Sequence, residues 1–140
     1  MNTTLDKVLY TAKVNTTGGR EGAARSDDGR IDLKMSPPGG PGGGTNPEQL
    51  LAAGWSACYL SAVSHLARQK KVTLPAGAAV DAEIDLGTNA GGYQLRARMN
   101  VKLPGLDRQL AQSLADEAHT VCPYSKGLHG NVDVTTTVTV

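Results

Sequence analysis

The segment from Pro47 to about Lys70 constrains this chain more than any other. It is dense in Ala and Leu, has no internal proline, and carries apolar residues at 51, 55, 58, 62 and 66. That spacing marks one face of a helix, and apolar or small residues also fill most of the other positions between 50 and 63. A helix apolar nearly all round has no solvent face, so it is expected to run through a core or a subunit interface. Its start is written in Asn46-Pro47-Glu48-Gln49: Asn46 as N-cap, Pro47 at the first helical position, and Gln49 placed to complete a capping box.

The flanking sequence supplies strands. Residues 7–14 (KVLYTAKV) and 31–35 (IDLKM) read as short strands separated by a turn-rich stretch with Gly18, Gly19, Asp28 and Gly29. Val80, Ala82, Ile84 and Leu86 alternate with Asp81, Glu83 and Asp85. From Tyr93 to Leu103, apolar residues again alternate with Gln94, Arg96, Arg98, Asn100 and Lys102. The link Thr88-Asn89-Ala90-Gly91-Gly92 makes these two a hairpin. Leu110, Leu114, Ala118 and Val121 mark a second helix over about 107–119, stopped by Pro123, and 132–140 closes the chain as a strand. Strands, long helix, strand pair, helix, strand is the order of an α+β protein rather than a βαβ series, and 140 residues fit one domain, 1–140.

Composition removes several function classes. Fourteen basic and thirteen acidic residues are scattered and nearly cancel, which points away from nucleic acid. The start, MNTTLDKVLY, has no signal-peptide pattern and no stretch reaches about 20 apolar residues, so a cytoplasmic protein with no membrane association is expected. The run Ser36–Gly44, SPPGGPGGG, lacks a following Gly-Lys-Ser/Thr, and Thr45 stands where a dinucleotide loop needs its third glycine; it reads as a flexible loop.

Two cysteines remain, Cys58 in the long helix and Cys122 at the end of the second helix. In a reducing compartment two cysteines suit a transient or catalytic role better than a structural staple, although a free cysteine is often only a small buried hydrophobe. Reactivity needs a thiolate. Cys58 lies three turns from its helix start, so a cationic side chain would have to supply the stabilisation, and spacing does not choose among Arg20, Arg25, Arg30 and the other bases. A zinc site from Cys58, His65, His119 and Cys122 is disfavoured because Cys58 and His65 are two helical turns apart, about 10.5 Å, too far for ligands that each lie about 2.0–2.3 Å from one ion. No metal or cofactor is expected. A cysteine hydrolase using His119 or His65 lacks a nucleophile motif.

Taken together, Asp6-Lys7-Val8-Leu9-Tyr10-Thr11-Ala12, Gly18-Gly19-Arg20, Gly44-Thr45-Asn46-Pro47-Glu48-Gln49-Leu50, Ser56-Ala57-Cys58 and Ala118-His119-Thr120-Val121-Cys122-Pro123-Tyr124-Ser125 resemble the organic hydroperoxide resistance family of the OsmC-like superfamily. The resemblance implies an intertwined homodimer of α+β subunits, with antiparallel sheets packed around the long helix. It also implies a thiol peroxidase acting on alkyl or lipid hydroperoxides. Cys58 would be the attacking cysteine, Cys122 the resolving one, Arg20 the cation beside the thiolate and Glu48 the residue that holds that arginine. Leu51, Trp55 and Tyr59 would offer an apolar setting for the substrate, and a lipoylated protein or another dithiol would be the reductant. Trp55 and Tyr59 stand where the family pattern has Tyr and Phe, and Lys126-Gly127-Leu128-His129 replaces a more polar stretch. Glu48 and Cys58 are ten residues apart, about 15 Å on a straight helix, so an arginine touching both implies a bend near Gly54 or groups drawn from two subunits. The competing reading is a non-catalytic OsmC-like module that binds a small apolar ligand or partner.

Overall fold

The computed structural model describes residues 3–140, in two compact units that divide at Pro47 and Glu48. In the first unit, β1 (Val14–Thr17), β2 (Ala23–Ser26) and β3 (Asp32–Lys34) form an antiparallel meander in the order β1-β2-β3. The expected strand over 7–14 is realised only at its end, since β1 begins at Val14. Before it, Leu5, Val8, Leu9 and Tyr10 are 76%, 63%, 88% and 79% exposed. Strand-forming residue types suit a segment to pairing, but pairing also needs a neighbouring strand, and among the described residues no ladder extends before Val14, where only the Lys13 carbonyl accepts a bond, from the Asp27 N–H at 3.1 Å. Conversely, β2 lies inside the stretch that reads as turn, because Ala23-Ala24-Arg25-Ser26 carries little strand propensity and is held by pairing on both sides.

The β1–β2 connection is a single 3-10 turn, Gly19–Glu21, entered through Gly18 and Gly19 at φ 71° and 58°. Both angles are left-handed, which glycine adopts without steric penalty. The glycine run is a loop, as its composition implies. It is closed at its base by a bridge between Met35 and Thr45, where the Thr45 N–H donates to Lys34 O at 2.9 Å and the Ser36 N–H to Thr45 O at 2.9 Å.

In the second unit, α1 (Pro47–Gln69) is close to the expected helix. It ends in a Schellman arrangement: Lys71 is left-handed at φ 57°, its N–H reaches Arg68 O at 3.0 Å, and the Val72 N–H reaches Ala67 O at 2.8 Å. Only one stripe of α1 is buried, comprising Trp55, Tyr59, Ala62, Val63, Leu66 and Ala67. The all-round apolar composition is therefore not matched by all-round burial, and Ala53 and Ala57 are exposed.

β4 (Ala79–Asn89) and β5 (Gly92–Lys102) form the expected hairpin with a two-residue turn, Ala90-Gly91, since Asn89 pairs with Gly92. β6 (Asp133–Thr139) joins β5 in parallel, with Met99 opposite Thr136, so the sheet is mixed and ordered β4-β5-β6. A parallel pair needs a crossover, here α2 (Arg108–Val121) and α3 (Pro123–Leu128). The α2 N-cap is Asp107, whose carboxylate accepts the Leu110 N–H at 3.0 Å. The buried face of α2 is Ala111, Leu114, Ala115 and Ala118, continued by Cys122, whereas Val121 is 38% exposed. Pro123 does not merely stop α2: it opens α3.

One face of β5 (Ala97, Met99, Val101) and Val138 of β6 join the stripe of α1 and the face of α2 in a single core. The other face carries ion pairs across β4 and β5: Arg98 with Asp85 at 2.7 Å and Glu83 at 2.9 Å, Arg96 with Asp85 at 2.7 Å, and Lys102 with Asp81. Solvated pairs of this kind contribute about 0–1 kcal/mol each. Their main effect is to favour the register that places alternate residues in the core.

Gly22 closes the turn that presents Arg20. A Cβ built there would lie 1.7 Å from the Thr17 carbonyl oxygen and 2.7 Å from Gly18 Cα, both backbone atoms that cannot rotate away. Gly22→Ala should therefore destabilise the protein by about 2–4 kcal/mol, read as a lower urea midpoint. An unchanged midpoint would show that this turn relaxes freely.

Candidate active site

Cys58 follows Gly54 by one turn on α1 and lies at the edge of the buried stripe, which leaves its thiol partly exposed. Cys122 is fully buried at the corner where α2 ends and α3 begins. The two Sγ atoms are 3.2 Å apart, with the Cys122 thiol donating to Cys58, and both cysteines are free thiols. A disulfide requires about 2.05 Å between sulfurs, so closure calls for an approach of little more than one ångström.

The corner holds Cys122 from both sides. As C-cap of α2 it donates its backbone N–H to Ala118 O at 2.9 Å, and as N-cap of α3 its Sγ accepts the Ser125 N–H at 3.5 Å. Pro123 suits the first position of α3, where no amide donor is needed. Next along α3, the Tyr124 side chain lies against α1 at Gly54, where a Cβ would come within 2.8 Å of its hydroxyl. Glycine at 54 is thus what admits this ring one turn from Cys58.

Behind the thiols runs a polar chain, buried at Trp55 and Ser125 and half-buried at His119 and Thr136. Trp55 Nε1–H donates to Ser125 Oγ at 2.9 Å, Ser125 Oγ meets His119 Nδ1 at 2.9 Å, and His119 Nε2 meets Thr136 Oγ1 at 2.8 Å. Tyr59 stacks on the His119 ring with centroids 4.6 Å apart and donates its hydroxyl to Ala115 O at 2.6 Å. No described buried side-chain nitrogen or oxygen lacks a hydrogen-bond partner.

Burial pushes the Cys58 thiol above its ordinary range. The backbone N–H of Tyr124 pulls the other way, and the neighbouring Cys122 thiol adds to the rise. A thiol so placed needs a positive charge before it is an effective nucleophile at neutral pH. His119 is not suited to supply it: burial, and secondly His129, lower its pKa against a smaller opposing effect of Asp116, so the ring stays neutral.

The structure brings together the two cysteines that the sequence singles out. Arg20 stands on the 3-10 turn of the first unit, and Glu48 lies in the first turn of α1. His65 is exposed two turns beyond Cys58, and no group of three or more His, Cys, Asp or Glu residues among those described could hold a metal ion. One expectation needs correcting. Trp55 and Tyr59 are 0% exposed and committed to internal hydrogen bonds, so they are core residues rather than walls of a substrate surface; of the three apolar neighbours named, Leu51 alone is only partly buried. Sequence reasoning also passed over Ser125 and Thr136. Ser125 sits three residues after Cys122 and His119 three before it, as Trp55 does before Cys58, so helical spacing carried a signal for all but Thr136.

Comparison with known proteins places this arrangement. Residues 40–137 match the model of the OsmC-like protein family. An organic hydroperoxide resistance protein of Xanthomonas axonopodis pv. citri is 47% identical over 137 residues, covering 95% of this chain and 96% of that protein. Among solved structures, an organic hydroperoxide resistance protein of Legionella pneumophila matches with TM-score 0.89 and 40% identity, over 96% of this chain and 100% of that one. The organic hydroperoxide resistance protein OhrB of Bacillus subtilis matches with TM-score 0.89 and 38% identity, over 94% and 100%. With relatives of this kind matched over nearly its whole length, this chain belongs to the OsmC-like family, in its organic hydroperoxide resistance branch.

Proposed function

We propose that this protein acts in organic hydroperoxide resistance as a thiol-dependent peroxidase. The observation that carries the reading is the 3.2 Å separation of a partly exposed Cys58 and a fully buried Cys122. The Cys58 thiolate attacks one peroxide oxygen, the O–O bond breaks, and the alkoxide leaves as the alcohol after taking up a proton, with Cys58 oxidised to the sulfenic acid. Cys122 sulfur then attacks the Cys58 sulfur. The S–S bond forms, the S–O bond breaks, and the hydroxide leaves as water with the Cys122 proton. A dithiol, such as a dihydrolipoyl group on a partner protein, returns the disulfide to two thiols.

Burial of Cys122 supports its assignment to the second step, because bulk peroxide meets the more exposed sulfur first. Family resemblance supports Arg20 as the thiolate's cation and Glu48 as the residue that orients Arg20. A homodimer fits the uncovered apolar residues of the chain, namely Leu5, Val8, Leu9 and Tyr10 before β1 and Ala53 and Ala57 on α1.

Three measurements test this reading. Cys58→Ser should abolish reduction of cumene hydroperoxide, whereas Cys122→Ser should undergo one oxidation and then stall as the sulfenic acid or pass to the sulfinic acid, seen by mass spectrometry. Full turnover of Cys122→Ser with a dithiol reductant would remove Cys122 from the resolving role. Arg20→Ala should move the pH dependence of Cys58 alkylation to higher pH, since losing the cation raises the thiol pKa. Peroxide attack at pH 7 should slow with it, by up to about tenfold if the alkylation profile moves by one pH unit. An identical alkylation profile would assign Arg20 to the turn alone. Sedimentation equilibrium should give twice the 14.5 kDa chain mass; a single-chain mass at micromolar concentration would refute the dimer.

A further inference from the structure

The polar chain behind the sulfurs joins the same turns that carry them. Trp55 is one helical turn before Cys58 on α1, His119 one turn before Cys122 on α2, and Ser125 three residues after Cys122 on α3. Through one buried hydroxyl, Ser125 is tied to α1 by Trp55 and to α2 by His119, and His119 is tied in turn to β6 by Thr136. Indole N–H only donates, so Ser125 Oγ accepts from Trp55. The neutral His119 ring donates through one nitrogen and accepts through the other, so it joins the two hydroxyls in either tautomer.

Resting on the peroxidase reading above, we propose that Thr136, His119 and Ser125 are positioning residues for disulfide closure, forming a strut that fixes the Cys122 corner against α1. Backbone hydrogen bonds along α2 and α3 hold Cys122 along the helix axes, through Cys122 N–H to Ala118 O at 2.9 Å and Lys126 N–H to Cys122 O at 3.0 Å. Those bonds run within α2 and α3 and do not themselves tie the corner to α1. The hydroxyl of Ser125 supplies that tie, and Thr136 anchors it in the sheet. Closure is sensitive to a shift of the corner because displacement of a reacting group by about 1 Å can slow a step about a hundredfold. Peroxide attack on Cys58 uses none of these groups.

The test separates the two chemical steps. Thr136→Val is nearly isosteric and lies on β6, away from the sulfurs; Thr136→Ser keeps the hydroxyl. Cys58 is first converted to its mixed disulfide with Ellman's reagent, and the second release of thionitrobenzoate then reports Cys122 attack without any peroxide. Closure is expected to slow at least tenfold in Thr136→Val, to slow further in His119→Ala, and to return to near the native rate in Thr136→Ser. With cumene hydroperoxide, the first loss of the Cys58 thiol should keep its native rate in Thr136→Val, while sulfenic acid trapping by dimedone and sulfinic acid formation rise.

Native closure rates in Thr136→Val and His119→Ala, with folding verified by circular dichroism, would overturn the strut. So would closure and the first oxidation falling in equal proportion, since that pattern denotes general loosening. If the native protein does not react with cumene hydroperoxide, the peroxidase reading fails, and the closure assay still decides the strut by itself.

Discussion

Helix α1 is buried along the line of Trp55, Tyr59, Ala62, Val63, Leu66 and Ala67, and the rest of the second unit is arranged against that line. Each large apolar side chain on it contributes about 1.5–3 kcal/mol relative to exposure. The alternation of β5 delivers Ala97, Met99 and Val101 to the same core, and the face of α2 delivers Ala111, Leu114, Ala115 and Ala118. At roughly 100° per residue Cys58 lies about 60° from Trp55 on the side away from Tyr59 and Val63, so it falls at the border of the stripe. That position leaves its sulfur reachable from outside and still in contact with the buried Cys122.

The same packing gives the two thiols unequal environments. Desolvation raises the Cys58 pKa, so forming a thiolate there calls for a nearby positive charge. Cys122 is shielded from solvent and tied at both helix ends. The two sulfurs therefore differ in access from outside although they lie 3.2 Å apart.

The polar chain from Trp55 to Thr136 brings hydrogen-bonding groups to the edge of the core, where they satisfy one another. An unsatisfied buried donor or acceptor costs about 1–3 kcal/mol, so the buried Trp55–Ser125 bond favours one way for α1 and α3 to meet. Apolar contacts tolerate small slides; four aligned polar groups do not.

By itself the sequence determined the elements whose signal is periodic: α1 from its apolar spacing and proline start, the β4–β5 hairpin from its alternation, α2 from its face, and the two cysteines as the groups with chemistry to offer. It also carried blocks, from Asp6-Lys7-Val8 to Cys122-Pro123-Tyr124, that identify the family. Tertiary structure alone decided what depends on a neighbour distant in the chain. Ala23–Ser26 became β2 because strands lie on both sides of it, while residues 7–13 stayed outside the meander, whose ladder starts at Val14 and Ser26. β6 took its parallel place beside β5, Trp55 and Tyr59 turned inward although their types would suit a substrate wall, and Ser125 and Thr136 acquired partners 70 and 17 residues away in sequence. Periodicity is a property of one segment in its own local frame. A register, a burial or a 3.2 Å sulfur contact is a property of two segments, and its free energy exists only once the chain has brought them together.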